Sequence, residues 1–201
     1  DDTNHTVIVG SRESDKAAAA AEEYEAQLES RGREVDIVGL TNVAATAQAD
    51  VVIMAVPAYH IADTVEAVAD KLDDGDILIT PATGMKRDED GFHYHRPGAG
   101  SVTTLAVEAA PESVPVVGAF HNLAAGRLTN LDAELGIDTL LVADDESAKS
   151  TVKSLAEDID GLRALDAGSI ANAAEVESVT PLLINVAMNN DGLHDLGVRF
   201  D

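Results

Sequence analysis

Six consecutive apolar residues, Val51-Val52-Ile53-Met54-Ala55-Val56, preceded by Asp50 and stopped by Pro57, constrain the fold more than any other stretch. A run this short and this rich in β-branched side chains suits a strand covered on both faces, at the centre of a parallel sheet. The remaining chain alternates around it. Strands are expected near 6–10, Val35–Leu40, Ile77–Thr80, Val114–Ala119, Thr139–Ala143 and Leu162–Leu165. Helices are expected at 14–31, with Ala17, Ala21, Tyr24 and Leu28 on one face, and along the stripe Ile61, Val65, Val68, Leu72. Others are expected after Thr41-Asn42 and near 101–110, 124–130, 145–159 and 169–190, the last interrupted by Pro181. Gly32 closes the first helix, and residues 81–100, with four glycines and little periodicity, read as a long loop. This alternation predicts an α/β, Rossmann-like, mostly parallel sheet with right-handed crossovers and a small helical C-terminal extension. A change of character after residue 143 divides the chain into 1–143 and 144–201.

Charge narrows the partners. The 201 residues carry 37 acidic against 13 basic side chains, net −24, while 45% are hydrophobic. Such a surface repels nucleic acid and anionic membrane. The hydrophobic content supports a core, so the acidity is read as adaptation to a concentrated-salt cytosol, where screening acts over a few ångströms. Acidic clusters such as Asp88-Glu89-Asp90 and Asp144-Asp145-Glu146 are then solvated surface, the second an acidic helix cap. There is no Cys and no apolar run of the roughly 18 residues a spanning helix needs. A cytoplasmic location is expected.

With so few cations, those at strand ends are informative. Thr6-Val7-Ile8-Val9-Gly10-Ser11-Arg12 runs from strand into helix, with Lys16 one turn on. Two cations and a hydroxyl beside free helix N–H groups make a phosphate site. An Arg at the end of the second strand of a dinucleotide fold accommodates the 2′-phosphate of NADP, where an acid would hold a bare ribose. A capped helix with surface charges is the alternative. The unit that precedes this strand in such folds, a strand, a Gly-x-Gly-x-x-Gly turn and a helix, is not found ahead of it. The sheet is therefore expected to lack its first strand and Gly-rich loop.

Val56, Pro57 and His60 end the apolar run at the carboxyl edge of the sheet, where open α/β sheets bind ligands. Phe120-His121-Asn122-Leu123 occupies the equivalent edge of a later strand, so His121 is a candidate for the same cleft, a structural histidine being the other reading. His93 and His95 alternate on the loop without a third ligand at a defined spacing. Gly98-Ala99-Gly100 follows a loop and lacks a third glycine, so it is not a dinucleotide fingerprint.

Together these segments resemble the NADPH-dependent coenzyme F-420 reductases of archaea and some bacteria. The likeness runs through Val9-Gly10-Ser11-Arg12 with Lys16, Val56-Pro57-x-x-His60, and Phe120-His121 followed by Ala124-Ala125-x-Arg127. It continues through Ile159-Asp160-Gly161-Leu162-Arg163 and Glu177-Ser178-Val179-Thr180-Pro181-Leu182-Leu183, which generic dinucleotide folds do not share. The resemblance implies that Ser11, Arg12 and Lys16 hold the NADP 2′-phosphate, that Val56, His60, Thr83 and Ala125 line the rest of the NADP(H) site, and that Leu196 contacts the deazaflavin of coenzyme F-420. Hydride would pass directly between the two rings, with no metal and no nucleophile, His121 orienting the deazaflavin. A homodimer is implied as well. Asn122-Leu123-Ala124 departs from the family's Thr-Ile-Pro-like stretch. About twenty residues of the family's opening unit are expected to be missing, with Asp1-Asp2-Thr3-Asn4-His5 ending its helix. Two alternatives stay open: a related NADP-dependent reductase of a ferric chelate or imino acid, and a catalytically inactive truncated homologue acting as a scaffold.

Overall fold

The computed structural model describes residues 5–33, 35–130 and 134–201. Residues 1–4, read above as the end of a helix, lie outside the described residues. The first unit is β1 (Val7–Ser11), α1 (Ser14–Glu29), β2 (Ile37–Thr41) and α2 (Asn42–Thr46). It continues with β3 (Val51–Ile53), α3 (Ile61–Val68), β4 (Ile77–Thr80), β5 (Met85–Asp88), β6 (Gly91–Tyr94), α4 (Val102–Ala109) and β7 (Val116–Gly118). The chain closes with α5 (Ala125–Leu128), β8 (Ile137–Leu141), α6 (Glu146–Glu157), β9 (Leu162–Asp166) and α7 (Ala173–Met188).

All pairings but one are parallel: β1 with β2, β3 with β4, β4 with β7, and β8 with β9. An isolated antiparallel bridge between Gly118 and Val142 ties the last pair to β7. In the first unit, Ala17 and Ala21 of α1 are buried, whereas Tyr24 of the expected face is 49% exposed. Gly39 on β2 explains the close packing, because a Cβ there would stand 2.4 Å from the Ala17 backbone. Gly32, at φ +75°, ends α1 as expected, with Arg33 N–H reaching back to Leu28 O at 3.1 Å.

The α3 stripe packs as its period requires: Ile61, Val65, Val68 and Leu72 are all buried against Leu78, Val102, Ala106 and Val116. On the opposite face of β4, Ile77 and Ile79 meet Val117, Leu141 and Val152. The doubly covered central strand is thus β4. The run from Val51 to Val56 does not hold that place throughout. Only its first three residues are strand, and Ile53 is 54% exposed. Beyond Ile53 the backbone tightens, Ala55 N–H bonding Ile53 O and Val56 N–H bonding Met54 O, while Met54 turns into the core. Among the described residues β3 is hydrogen-bonded only to β4, and β1 only to β2. The two open edges border a trough of about 270 Å³ lined by residues such as Ile8, Gly10, Ala45, Val52 and Val68.

Two further expectations change. The segment 81–100 contains an antiparallel hairpin, β5 with β6, in place of a continuous loop. Its exposed polar residues hide the strand period, and Gly91 at φ +128° supplies the turn. Asn185 of α7 clamps it, accepting from Phe92 N–H at 2.8 Å and donating to Phe92 O at 2.6 Å. Second, α7 continues through Pro181 without a break, although the proline removes one helical N–H.

The tail is tied down by Asp138 on β8, whose buried carboxylate accepts from Arg163 Nε and Nη2 (2.8 and 2.7 Å) and from Phe200 N–H (2.7 Å). These bonds, the Arg163 pair foremost, hold the Asp138 carboxyl below its ordinary 3.8. A lowered folded pKa contributes stability at pH above the unfolded value, lost as pH falls through the folded one. Melting temperature measured from pH 6 to 3 is therefore expected to fall more steeply in the wild type than in Asp138→Asn; parallel curves would deny the carboxylate this role.

Candidate functional site

Two cavities lie along the carboxyl side of the sheet. The first, about 420 Å³, is lined by Gly10, Ser11 and Arg12 from the end of β1, Asn42 from the start of α2, and Val56, Pro57, His60, Asp63 and Thr64 around the start of α3. It brings together five of the residues singled out by sequence: Ser11, Arg12, Val56, Pro57 and His60. The Ser11 hydroxyl accepts from Glu13 N–H at 3.4 Å, while Arg12 makes no hydrogen bond or ion pair among the described residues. An uncommitted guanidinium and a hydroxyl at a strand-to-helix turn fit a phosphate monoester dianion. Lys16 is not part of the lining. It pairs with Glu13 at 2.5 Å, both side chains about two-thirds exposed (68% and 64%). Asn42 stands beside Gly10, whose added Cβ would come within 3.0 Å of Asn42 Oδ1. Asn42, Asp63 and Thr64 were missed in the sequence; their only signal is a place just past a strand end or in the first turn of the next helix.

The second cavity, about 410 Å³, is mostly apolar. Leu183, Ile184, Ala187 and Met188 of α7 form one wall, Leu193 and Leu196 of the C-terminal segment another, and the polar side chains of the lining are His121, Asn122, Thr180, His194 and Asp195. Of the predicted residues, His121 and Leu196 line it. Ala124 lines it, while the neighbouring Ala125 does not, and Thr83 reaches it only through Thr180. The substituted stretch is built into the structure: Asn122 is buried and donates to Asp138 O at 2.7 Å, and Leu123 and Ala124 face the cavity. The α7 residues were missed because apolar side chains on a long helix carry the same pattern whether they meet a core or a ligand.

His121 is aimed by its surroundings. Phe120, just past β7, has φ +65°, a left-handed conformation that costs a residue with a Cβ on the order of 1 kcal/mol and concentrates at functional sites. Its N–H is held by Thr139 Oγ1 at 3.2 Å. The Thr180 hydroxyl donates to His121 O at 2.7 Å, which leaves Thr83 as donor in the 3.3 Å contact between the two threonines. His121 itself is 4% exposed, and burial pushes its pKa below the usual histidine range, against the opposing pull of the Glu177 carboxylate. His93, by contrast, lies 3.0 Å from Asp88 on the exposed hairpin. No group of three or more potential metal-ligating side chains occurs among the described residues.

Comparison with known proteins agrees in sequence and in fold. Residues 1–84 match the family described as NADP oxidoreductase coenzyme F420-dependent. The F420-dependent NADP reductase of Methanocaldococcus jannaschii is 36% identical over 189 residues, covering 91% of this chain and 82% of the relative. That of Methanothermobacter thermautotrophicus is 34% identical over 197 residues, 96% of this chain and 83% of the relative. A crystal structure of a candidate F420-dependent NADP-reductase from Arthrobacter sp. FB24 superposes with a TM-score of 0.79 over 100% of this chain and 90% of that one; at 19% identity it speaks for the fold. With a third of its residues shared over most of the length of these relatives, the chain belongs to the F420-dependent NADP reductase family.

Proposed function

We propose that this chain transfers hydride between NADP(H) and coenzyme F-420. The observation that carries the reading is the pairing of a cationic cleft at Arg12 with an apolar cavity over His121, in a chain of this family. When bound, the nucleotide and the deazaflavin supply the redox chemistry themselves, hydride passing between carbon atoms. The protein's work is then to bind, orient and keep out water. Arg12 and Ser11 take the 2′-phosphate, and Lys16 joins them by exchanging Glu13 for the incoming anion. Val56, Pro57 and His60 line the path toward the reactive end, with Thr83 and Ala125 beside it. The leucines and Ile184 of the second cavity sandwich the flat ring, Leu196 among them, and His121 orients it. Residues 1–143 thus form the nucleotide unit, and 144–201 complete the deazaflavin site.

The family and the charge support a cytoplasmic enzyme of a salt-rich cell, and no described helix is long and apolar enough to cross a membrane. Leu182 and Val186, exposed on α7 at 59 and 37%, suit the contact of a homodimer. Mixing the protein with NADPH and oxidised F-420 in concentrated KCl is expected to bleach the deazaflavin absorbance, with NADH far slower. No bleaching with either nucleotide counts against the reading, and equal rates count against the 2′-phosphate assignment.

A further inference from the structure

We propose that His121 Nε2 is a hydrogen-bond acceptor for the imide N–H of the ring bound in the second cavity, and so selects ligands by a donor at that edge. This rests on the deazaflavin reading above.

The tautomer follows from the partner. His121 Nδ1 lies 3.1 Å from Ala82 O, and a carbonyl only accepts, so Nδ1 carries the proton. In the neutral ring Nε2 is then a bare lone pair. Burial favours the neutral ring, as the downward pKa shift agrees. Nε2 is the buried side-chain atom left without any hydrogen-bond partner among the described residues. Buried polar atoms are seldom unpaired, and those that are call for a ligand or a strain to account for them. Here the same residue lines an apolar cavity of about 410 Å³. The Ala82 carbonyl holds the ring itself, while the Thr180 hydroxyl and the left-handed Phe120 fix the backbone that carries it.

A deazaflavin presents, at its pyrimidine edge, one N–H flanked by two carbonyls. An unpartnered acceptor in a mostly apolar wall, whose other polar side chains are Asn122, Thr180, His194 and Asp195, can pair with that N–H, and a ring that lacks the donor leaves it unmatched. Selectivity of this kind is strong because the unmatched group stays buried and unpaired. Thr180 acts as a positioning residue: it touches the His121 backbone and the cavity wall, and sets where Nε2 stands.

The test is a chemical double-mutant cycle. Dissociation constants for oxidised F-420 and for a deazaflavin methylated at the imide nitrogen are measured by fluorescence with the wild type, His121→Leu and His121→Gln. F-420 should bind His121→Leu about tenfold or more weakly, the fold-change that corresponds to a lost hydrogen bond of roughly 1.4 kcal/mol. His121→Gln, which keeps an acceptor, should recover most of the affinity, and NADPH affinity should stay unchanged in both. The methylated ring should bind the wild type poorly and lose little more in His121→Leu. Long-range ¹⁵N spectra supply a readout independent of the variants: Nε2 should resonate as an unprotonated nitrogen and shift upfield when F-420 is added. Equal affinity of wild type and His121→Leu for F-420, or additive losses in the cycle, overturns the inference while leaving the deazaflavin reading intact. A wild type that binds NADPH but no F-420 overturns both.

Discussion

Arg12→Ala is expected to raise the KM for NADPH by about 10- to 100-fold while leaving that for NADH nearly unchanged. The range follows from the roughly 1.5–3 kcal/mol of a hydrogen bond to a charged group, at about 1.4 kcal/mol per tenfold. Arg12 stands in the first cavity with its guanidinium unengaged among the described residues, so none of them is freed as a partner by the substitution. Lys16 cannot substitute fully, because it already pairs with Glu13. Arg12→Lys should recover only part of the affinity, since an ammonium gives a point charge where the guanidinium gives a fork. Steady-state kinetics for both nucleotides at one fixed KCl concentration decide the matter, since screening reaches about 3 Å at 1 M salt and would otherwise mask the charge. Equal losses for NADPH and NADH would mean that Arg12 supports the fold and not the phosphate.

The second large effect is structural. Glu177→Leu should lower the melting temperature by roughly 6–12 °C, about 3 kcal/mol at 2–4 °C per kcal/mol for a chain of this size. Glu177 is fully buried on α7 and forms no ion pair among the described residues. Its two oxygens accept instead from Tyr94 Oη (2.9 Å), Val102 N–H (3.1 Å), Thr103 N–H (2.9 Å) and Thr103 Oγ1 (2.9 Å). Two of these are orphan N–H groups of the first turn of α4, where the helix dipole also favours a negative charge. Burial and the adjoining carboxylate push the Tyr94 phenol well above its ordinary value of 10.0, so it stays a donor across the working pH range. Leucine keeps the volume but strands all four donors. Because α7 also carries Thr180, Leu183 and Ile184, the variant should bind F-420 poorly and NADPH normally. A melting temperature within about 2 °C of wild type would show that water replaces the carboxylate.

The strand and helix order was legible because period and length decide it. Ile61, Val65, Val68 and Leu72 can only be one face of a helix, and Ile77–Thr80 can only be a buried strand. The hairpin was not legible, since Met85-Lys86-Arg87-Asp88 is exposed at every residue and so has no alternation to read. The apolar run at 51–56 misled because apolarity does not mark where a ladder stops: Met54 is buried and its N–H still bonds Ile79 O, whereas Ala55 and Val56 turn back to bond Ile53 O and Met54 O. In the sites, charge scarcity made Ser11 and Arg12 visible, and a strand's carboxyl end exposed His60 and His121. Glu177 lay in a segment recognisable by likeness alone. Its role depends on meeting Tyr94 and Thr103, which are 83 and 74 residues away in the chain, and no local pattern encodes that.

The open edges of β1 and β3 have a consequence for how nucleotide binding is felt by the whole molecule. The first cavity takes Ser11 and Arg12 from the β1–β2 ladder and Pro57, His60 and Thr64 from the side of β3 and β4. Among the described residues no backbone ladder joins those two sides. On the proposed function, a nucleotide spanning the cavity would strap them together, part of its binding free energy going to restrict their relative motion. Amide exchange should register this: β1 and β2 slow when NADPH binds, while β4, buried throughout and laddered on both sides, is already slow without it.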